Sequence, residues 1–528
     1  MSAEPAPPRV ALALLAAVGA VLVLVTTRHG VGKGTDALAY IGAARNIVHG
    51  HGVTTPFTIF TSRYRPRTAA GFVGAVPLTH FPPLFPVVLA TGASLGIAVT
   101  TVVRVLNAAL LGLNLYLTGL VAWQVERSRV FAVAVVVFLL TGSTLGDAFG
   151  GHDTWLRLHS FAQSEPLFIT CVLIALLALP RYLRDGRTVD LAIVTAAASL
   201  AFLTRYAGAA LIAAAFVLVV SRRTDRATRV RHGTIFLAGT LAPTAMWSAY
   251  NSLVRHASSP RSLGLHYLAI RGMLDVIGSW FVPTDWPSWV RTVAFVVAVA
   301  LAATTLRAAS PRGRNREEEL RAYTSWALAA YGVAYIGVVF ATRTFLDAST
   351  PIDDRLFAPL EPVVVILAFA GVVQLLRTRL RSSVAGAVGV ALMVVVSIPG
   401  WSVVRKTVAD GIAPPPVTSP IVRDLAPLRF DTLVVTDVPH QVYDETGRST
   451  IIVPTRINPL TGKRDPTFES RMTEMVGVVR AKHGVVVLLG GSAASIRALT
   501  GLAGPDDFVR HGLIVERRTP DGGVLLGA

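Results

Sequence analysis

Long apolar runs, broken by short polar stretches, fill the chain from about residue 10 to residue 400. They cover about 10–27, 98–123, 130–146, 164–180, 188–204, 206–220, 233–251, 289–306, 323–341, 358–376 and 383–400. Crossing a bilayer as a helix takes about 20 apolar residues, so the pattern predicts about 11 transmembrane helices. One stretch needs dividing. Thr188–Val220 is apolar except around Arg205. As one helix it would be about 50 Å long, well beyond a bilayer. Two short helices with a tight turn near Thr204–Gly208 place Arg205 at the membrane face.

The pattern changes beyond residue 400. "GIAPPPVTSP" reads as part of a linker spanning 401–420. Short β-like runs follow ("DTLVVTD", "STIIVP", "GVVVLLG", "GLIVERR"), interleaved with helix-like stretches near 467–482 and 492–502. Residues 421–528 are therefore expected to form a small α/β domain. "GGSAAS" after a strand lacks the lysine and spacing of a phosphate loop and reads as an ordinary strand-to-helix turn. No repeat or low-complexity tract is evident.

Composition adds a topology. The chain is 52% hydrophobic and 15% charged, with a mean hydropathy of +0.57 and a formal net charge of +18. Soluble domains are about 25% charged. The positive charge does not point to nucleic acid, because the arginines cluster in short loops between apolar runs, as in "RYLRDGR", "SRRTDRATRVRH" and "RTRLR". These loops all fall on one side when the N-terminus is cytoplasmic. The expected arrangement is a multi-pass protein of the cytoplasmic membrane with its C-terminus outside. Residues 1–400 form the membrane domain, and 28–81, 146–163, 251–289 and 342–357 are its outer loops. The first run also has features of a signal peptide; an uncleaved helix is preferred because no clear cleavage site follows. The lone Cys171 excludes an intrachain disulfide and a cysteine-based metal site.

Candidate chemistry lies in the outer loops. Asp36, Tyr40 and Ala44 share one face of a helix at a spacing of four; a plain helix-dipole role for Asp36 is the simpler reading taken alone. His80 precedes "FPPLFP". The loop "GDAFGGHDTWLRLHSFAQSEPLF" carries Asp147, His152, Asp153, His159 and Glu165. Glu165 sits at the lip of a span, where a carboxylate is costly unless paired or functional. A divalent metal at Asp147, His152 and Asp153 is an alternative use of those residues, without a known ligand motif. In "STPIDDRLFAPLEP", Arg355 either balances Glu361 or Glu165, or offers its fork of donors to an anionic headgroup.

In order along the chain, "DALAYIGAARNIVHGHG", "FPPLFP", "SEPLF" and "DRLFAPLEP" resemble the GT-C superfamily of integral-membrane glycosyltransferases, notably the protein O-mannosyltransferases and the lipid A aminoarabinose transferases. "TDVPHQVYDETGR" is similar to the tails of some bacterial members. The resemblance implies a polyprenyl-phosphate-linked monosaccharide donor and an acceptor bound on the outer side. It implies Asp36 as general base and Glu165 as a second active-site carboxylate. Many relatives carry a double acid, or a lysine before the proline pair; this chain has Thr35–Asp36 and His80–Phe81. The expected reaction is an inverting displacement at the anomeric carbon. Arg355, Arg205 and His80 are the candidate cations for the phosphate, with Arg45 a further one. Tyr40, Asp147 and Asp153 are candidate substrate contacts. No cofactor is expected. The acceptor is left open among glycan, lipid and protein. A transporter or flippase of lipid-linked sugars and a non-catalytic cell-envelope assembly protein are the alternatives.

Overall fold

The computed structural model describes residues 6–58, 76–141, 155–254, 261, 263–266, 270–282, 286–309, 315–412 and 419–527. The helices are α1 (Arg9–Thr26), α2 (Thr35–Val48), α3 (Leu84–Ala93), α4 (Val99–Glu126), α5 (Arg129–Thr141), α6 (Trp155–Ser160), α7 (Glu165–Asp185), α8 (Thr188–Thr204), α9 (Ala209–Val220), α10 (Arg226–Ala249), α11 (Ile270–Ser279), α12 (Ser288–Ala308), α13 (Arg316–Ala341), α14 (Asp354–Phe357), α15 (Glu361–Arg377) and α16 (Ser382–Asp410). The described part of each apolar run named above lies mostly on one of them. Among the described residues five helices, counting α13 to Leu346, are long and apolar enough to cross a membrane, or six if the bent pair within α16 is one span. The expected number of about 11 is thus not reached by length and composition: α3, α5, α8 and the Tyr206–Val220 segment are apolar but shorter.

Local chemistry explains the breaks. α8 ends at Arg205, whose backbone is extended (φ −148°, ψ 137°), and a 3₁₀ turn at Tyr206–Gly208 leads into α9. A side chain at Gly208 would meet the Phe202 backbone nitrogen at 2.5 Å, so only glycine allows the chain to double back here. α7 opens with Pro166 in its first turn, where the missing N–H has no intrahelical partner to lose. Where α12 meets α15, a Cβ on Gly371 would lie 2.0 Å from the Leu301 carbonyl oxygen; small residues allow such close backbone approach between helices.

Residues 420–527 build a five-stranded sheet in the order β4-β3-β7-β9-β8. Its strands are β3 (Val434–Thr436), β4 (Thr450–Ile452), β7 (Val485–Leu488), β8 (Ile514–Arg518) and β9 (Val524–Gly527). Two short hairpins, β1 (Thr54–Thr55) with β2 (Val76–Pro77) and β5 (Ile457–Asn458) with β6 (Lys463–Arg464), stand apart. β3 runs parallel to both β4 and β7, while β9 is antiparallel to β7 and β8. Helices α17 (Pro420–Arg423), α18 (Pro439–Thr446), α19 (Phe468–Ala481), α20 (Ser492–Thr500) and α21 (Pro505–Arg510) complete it. Val435, Val486 and Leu526 pack with Phe468 and Met472 in one core.

This domain is docked on the helical part by backbone as well as side chains. Thr450 donates its N–H to the Pro56 carbonyl (3.2 Å) and accepts from the Thr58 N–H (3.2 Å). Ala348 donates to the Leu460 carbonyl (2.8 Å). Lys33 pairs with Asp444 at 2.8 Å. These contacts draw α18 against the first turn of α2.

Candidate active site

Gly34 caps α2 in extended geometry, and Asp36 occupies the first turn, where the helix dipole favours a negative charge. One turn on, Tyr40 is buried. Its ring packs on Phe81 (5.0 Å) and edge-on to Phe85 (5.1 Å), so "FPPLFP" supports this face of α2. Its hydroxyl lies 3.0 Å from Ser164 Oγ. Burial holds the phenol well above its ordinary pKa, so Tyr40 is a hydrogen-bonding group rather than a base.

Beside it, carboxylates and guanidinium groups alternate. Arg355 Nη1 donates to Asp36 Oδ2 at 2.8 Å, and Arg355 Nε lies 3.4 Å from Glu165 Oε1. Arg205 Nη1 reaches the same Glu165 oxygen at 2.8 Å and Ser164 Oγ at 3.2 Å. Burial opposes the Arg355 charge, but Glu165 and Asp36 more than offset it and hold the guanidinium above its usual range. Glu361 is not the partner of Arg355: its Oε2 accepts from Trp155 Nε1 at 2.8 Å. The Arg355 pairs are with Asp36 and Glu165, with Asp353 Oδ2 at 4.0 Å.

These groups border a cavity of about 780 Å³, within the range of small-molecule sites. Asp36, His80, Arg205, Arg261 and Arg355 line it, and the C-terminal domain contributes His440. The Asp36 side chain is 28% exposed, whereas Glu165, at 2%, lies behind the arginines and is not a lining residue. Glu165 is therefore placed to orient the two guanidinium groups rather than to touch a ligand in the cavity.

Other expected residues are placed differently. His80 borders the cavity, but burial, then the Arg261 charge, push its imidazole down to about 4. In the ligand-free protein it is therefore neutral near pH 7, whereas the sequence reading has it as a candidate cation for the phosphate. Beside it the lining carries Arg261, which sequence reasoning passed over. Arg261 Nε donates to Asp347 Oδ2 at 3.1 Å, Arg261 Nη1 approaches the His80 carbonyl at 3.4 Å, and the guanidinium lies over the Tyr206 ring. Arg45 turns away from the cavity: it donates to the Tyr443 hydroxyl at 3.1 Å and helps seat the C-terminal domain. Asp147, His152 and Asp153 lie outside the described residues. Among the described residues, no group of three or more His, Cys, Asp or Glu side chains is arranged to hold a metal ion. His159 is buried, with its ring nitrogens on the Trp155 carbonyl and the Asn114 amide.

No protein-family model matches this chain, and no curated protein matches it in sequence. Solved structures do match in shape. The oligosaccharyltransferase AglB from Archaeoglobus fulgidus, in complex with an inhibitory peptide and a dolichol-phosphate, is 13% identical at a TM-score of 0.53, covering 91% of this chain and 69% of that one. The mycobacterial arabinofuranosyltransferase AftD is 14% identical at 0.53, covering 99% of this chain, which spans 42% of AftD. ArnT from Cupriavidus metallidurans, bound to undecaprenyl phosphate, is 16% identical at 0.48, with 97% of each chain covered. The chain shares its fold with the solved AglB and AftD structures.

Proposed function

We propose that this protein is a glycosyltransferase of the cytoplasmic membrane, moving a monosaccharide from a polyprenyl-phosphate-linked donor to an acceptor hydroxyl on the outer side. The carrying observation is the shared cavity in which a partly exposed carboxylate, Asp36, is held by Arg355 beside Arg205 and Arg261. AglB, which shares the fold, was solved with a dolichol-phosphate. That supports a lipid-phosphate donor here. In this reading the N-terminus is cytoplasmic, and the cavity and the C-terminal domain face outward.

Asp36 takes the proton from the acceptor hydroxyl as its oxygen bonds to the anomeric carbon. The bond from that carbon to the phosphate oxygen breaks, and its electron pair leaves with the polyprenyl phosphate. The configuration inverts. The donor phosphodiester carries one negative charge and the departing monoester approaches two. Arg355, Arg205 and Arg261 therefore stabilise the transition state more than the bound donor, which is what lowers the barrier. In the ligand-free protein Arg355 is shared between Asp36 and Glu165. A phosphate competing for Arg355 loosens its hold on Asp36 and frees that carboxylate to meet the acceptor hydroxyl, so the donor binds before the acceptor reacts.

The test is sugar transfer by purified full-length protein in nanodiscs, supplied with undecaprenyl-phosphate-linked pentoses and hexoses. Transfer by the wild type, and its loss in Asp36→Asn, supports the reading. Passage of the lipid-linked sugar across a bilayer without transfer overturns it in favour of a flippase.

A further inference from the structure

The cavity has two unlike walls. One carries Arg205, Arg261 and Arg355 beside apolar residues near the end of α13, among them Val338 and Leu346. The other comes from the C-terminal domain: Asp437, Pro439, His440 and Ile452. Asp437 accepts from the Leu489 N–H at 3.0 Å and is paired with Arg497, so it anchors this wall. No lysine or arginine of the domain is among the lining residues. This wall is unsuited to a phosphate.

Its composition suits a sugar. Pro439 and Ile452 offer apolar surface to a ring face, and His440 offers one N–H donor and one acceptor nitrogen to hydroxyls. Burial lowers the His440 pKa, so the imidazole is neutral at pH 7 and keeps both functions. His440 opens α18 just past the carboxyl end of β3, and Ile452 ends β4. Ligands of parallel α/β sheets bind outside the carboxyl ends of the strands; here those ends are aimed into the transfer cavity. The His440 ring nitrogens lie 3.4 and 3.5 Å from Thr35 Oγ1, the residue preceding Asp36. The docking contacts at Lys33, Pro56 and Thr58 hold the wall in place.

We propose that the C-terminal domain forms the acceptor subsite, in which a glycan hydroxyl is held by His440 and presented to Asp36. The role in catalysis rests on the transferase reading; glycan binding does not. The test uses the full-length protein in nanodiscs, with octyl mannopyranoside and octyl arabinofuranoside as acceptor probes and undecaprenyl phosphate as the donor-side probe. Glycoside affinity, read by saturation-transfer NMR, should fall about tenfold in His440→Ala, the worth of one good hydrogen bond. Undecaprenyl phosphate affinity should stay within about twofold on the same scale. His440→Gln, which keeps a donor and an acceptor, should recover most of the binding. In turnover the acceptor KM should rise while kcat changes little. Glycoside binding that needs His440 in a protein without transferase activity would uphold the subsite and sink the transferase reading. The proposal is overturned if neither glycoside binds the wild type, if the alanine variant binds them as well as the wild type, or if donor-side affinity falls equally. It is likewise overturned if a well-folded His440→Gln recovers nothing.

Discussion

Two buried glutamates, Glu126 and Glu165, are each gripped by a pair of arginines, yet they do different work. Glu126 ends α4 and pairs with Arg321 (3.0 Å) from α13 and with Arg377 from α15, while the Gln374 amide donates to it at 3.2 Å. Glu165 opens α7 and pairs with Arg205 and Arg355. The two sites are far apart: Asn107, bonded to the Phe161 carbonyl near Glu165, is 19 residues before Glu126 on α4, roughly 28 Å at the helical rise. The first cluster ties three helix ends together. The second borders a cavity, and its Arg355 has a further, partly exposed carboxylate to hold, Asp36. A buried ion cluster is thus not by itself a functional sign. What marks the second one is a solvent-reached carboxylate competing for the same arginine.

The largest effect should separate these clusters. Asp36→Asn keeps the side chain's shape but not its basicity, and removing a general base typically costs about 10²–10⁴-fold in rate. Turnover should fall by at least the lower figure while thermal stability changes little. Near-native turnover would end the base assignment. Arg355→Ala should act next, lowering kcat/KM for the donor by about 10–100-fold, the range for hydrogen bonds to a charged group, with part of the loss in kcat. Arg355→Lys should restore only part, because the paired donors are lost. An unaltered donor kcat/KM would take Arg355 out of the phosphate site.

At the other cluster, Glu126→Gln should behave oppositely. It removes the charge that Arg321 and Arg377 share, and breaking a buried pair is costly, about 3–5 kcal/mol where both groups are dry. Here the arginines are partly exposed, which brings the expected loss nearer to about 1–2 kcal/mol. The melting temperature should drop, with activity per folded molecule retained. A selective loss of activity at normal stability would erase the contrast between the clusters.

The helical bundle was legible because each apolar run is a local signal, and so was the turn at Arg205, where one charge interrupts an otherwise overlong run. Glu165 was legible as a carboxylate placed where a membrane makes it expensive, Arg355 through the fork of donors it offers an anion, and Asp36 through the motifs that carry the resemblance. Arg261 was not, because nothing along the chain brings it to Asp347 and His80; only the packing of the third outer segment against the fourth does that. α18 was also missed. Its eight residues are mostly polar, and its helix follows from Pro439 in the first turn and Gly447 after the last. The depressed pKa of His80 was not legible for a related reason, since burial is a tertiary property.

The smallest expected effect concerns that burial. The His80 pKa lies near 4 in the folded protein, against about 6.5 unfolded. Burial and Arg261 push it down, Arg205 adds to this, and Asp347 and Asp36 oppose it. At low pH the unfolded chain therefore binds a proton that the native site refuses. The stability due to the neutral imidazole is complete above about pH 6.5 and is lost as the pH falls toward 4. His159 and His440 are shifted in the same direction by burial, so they contribute a slope of the same sign. His80→Gln cannot titrate and should flatten only part of that slope. Melting curves of wild type and variant between pH 7 and pH 4.5 measure the difference. The two should diverge progressively below about pH 6.5, with the wild type losing stability faster. Parallel curves would mean that His80 gains its proton without penalty. The site would then hold a fourth cation after all, and the division of labour between His80 and Arg261 would have to be redrawn.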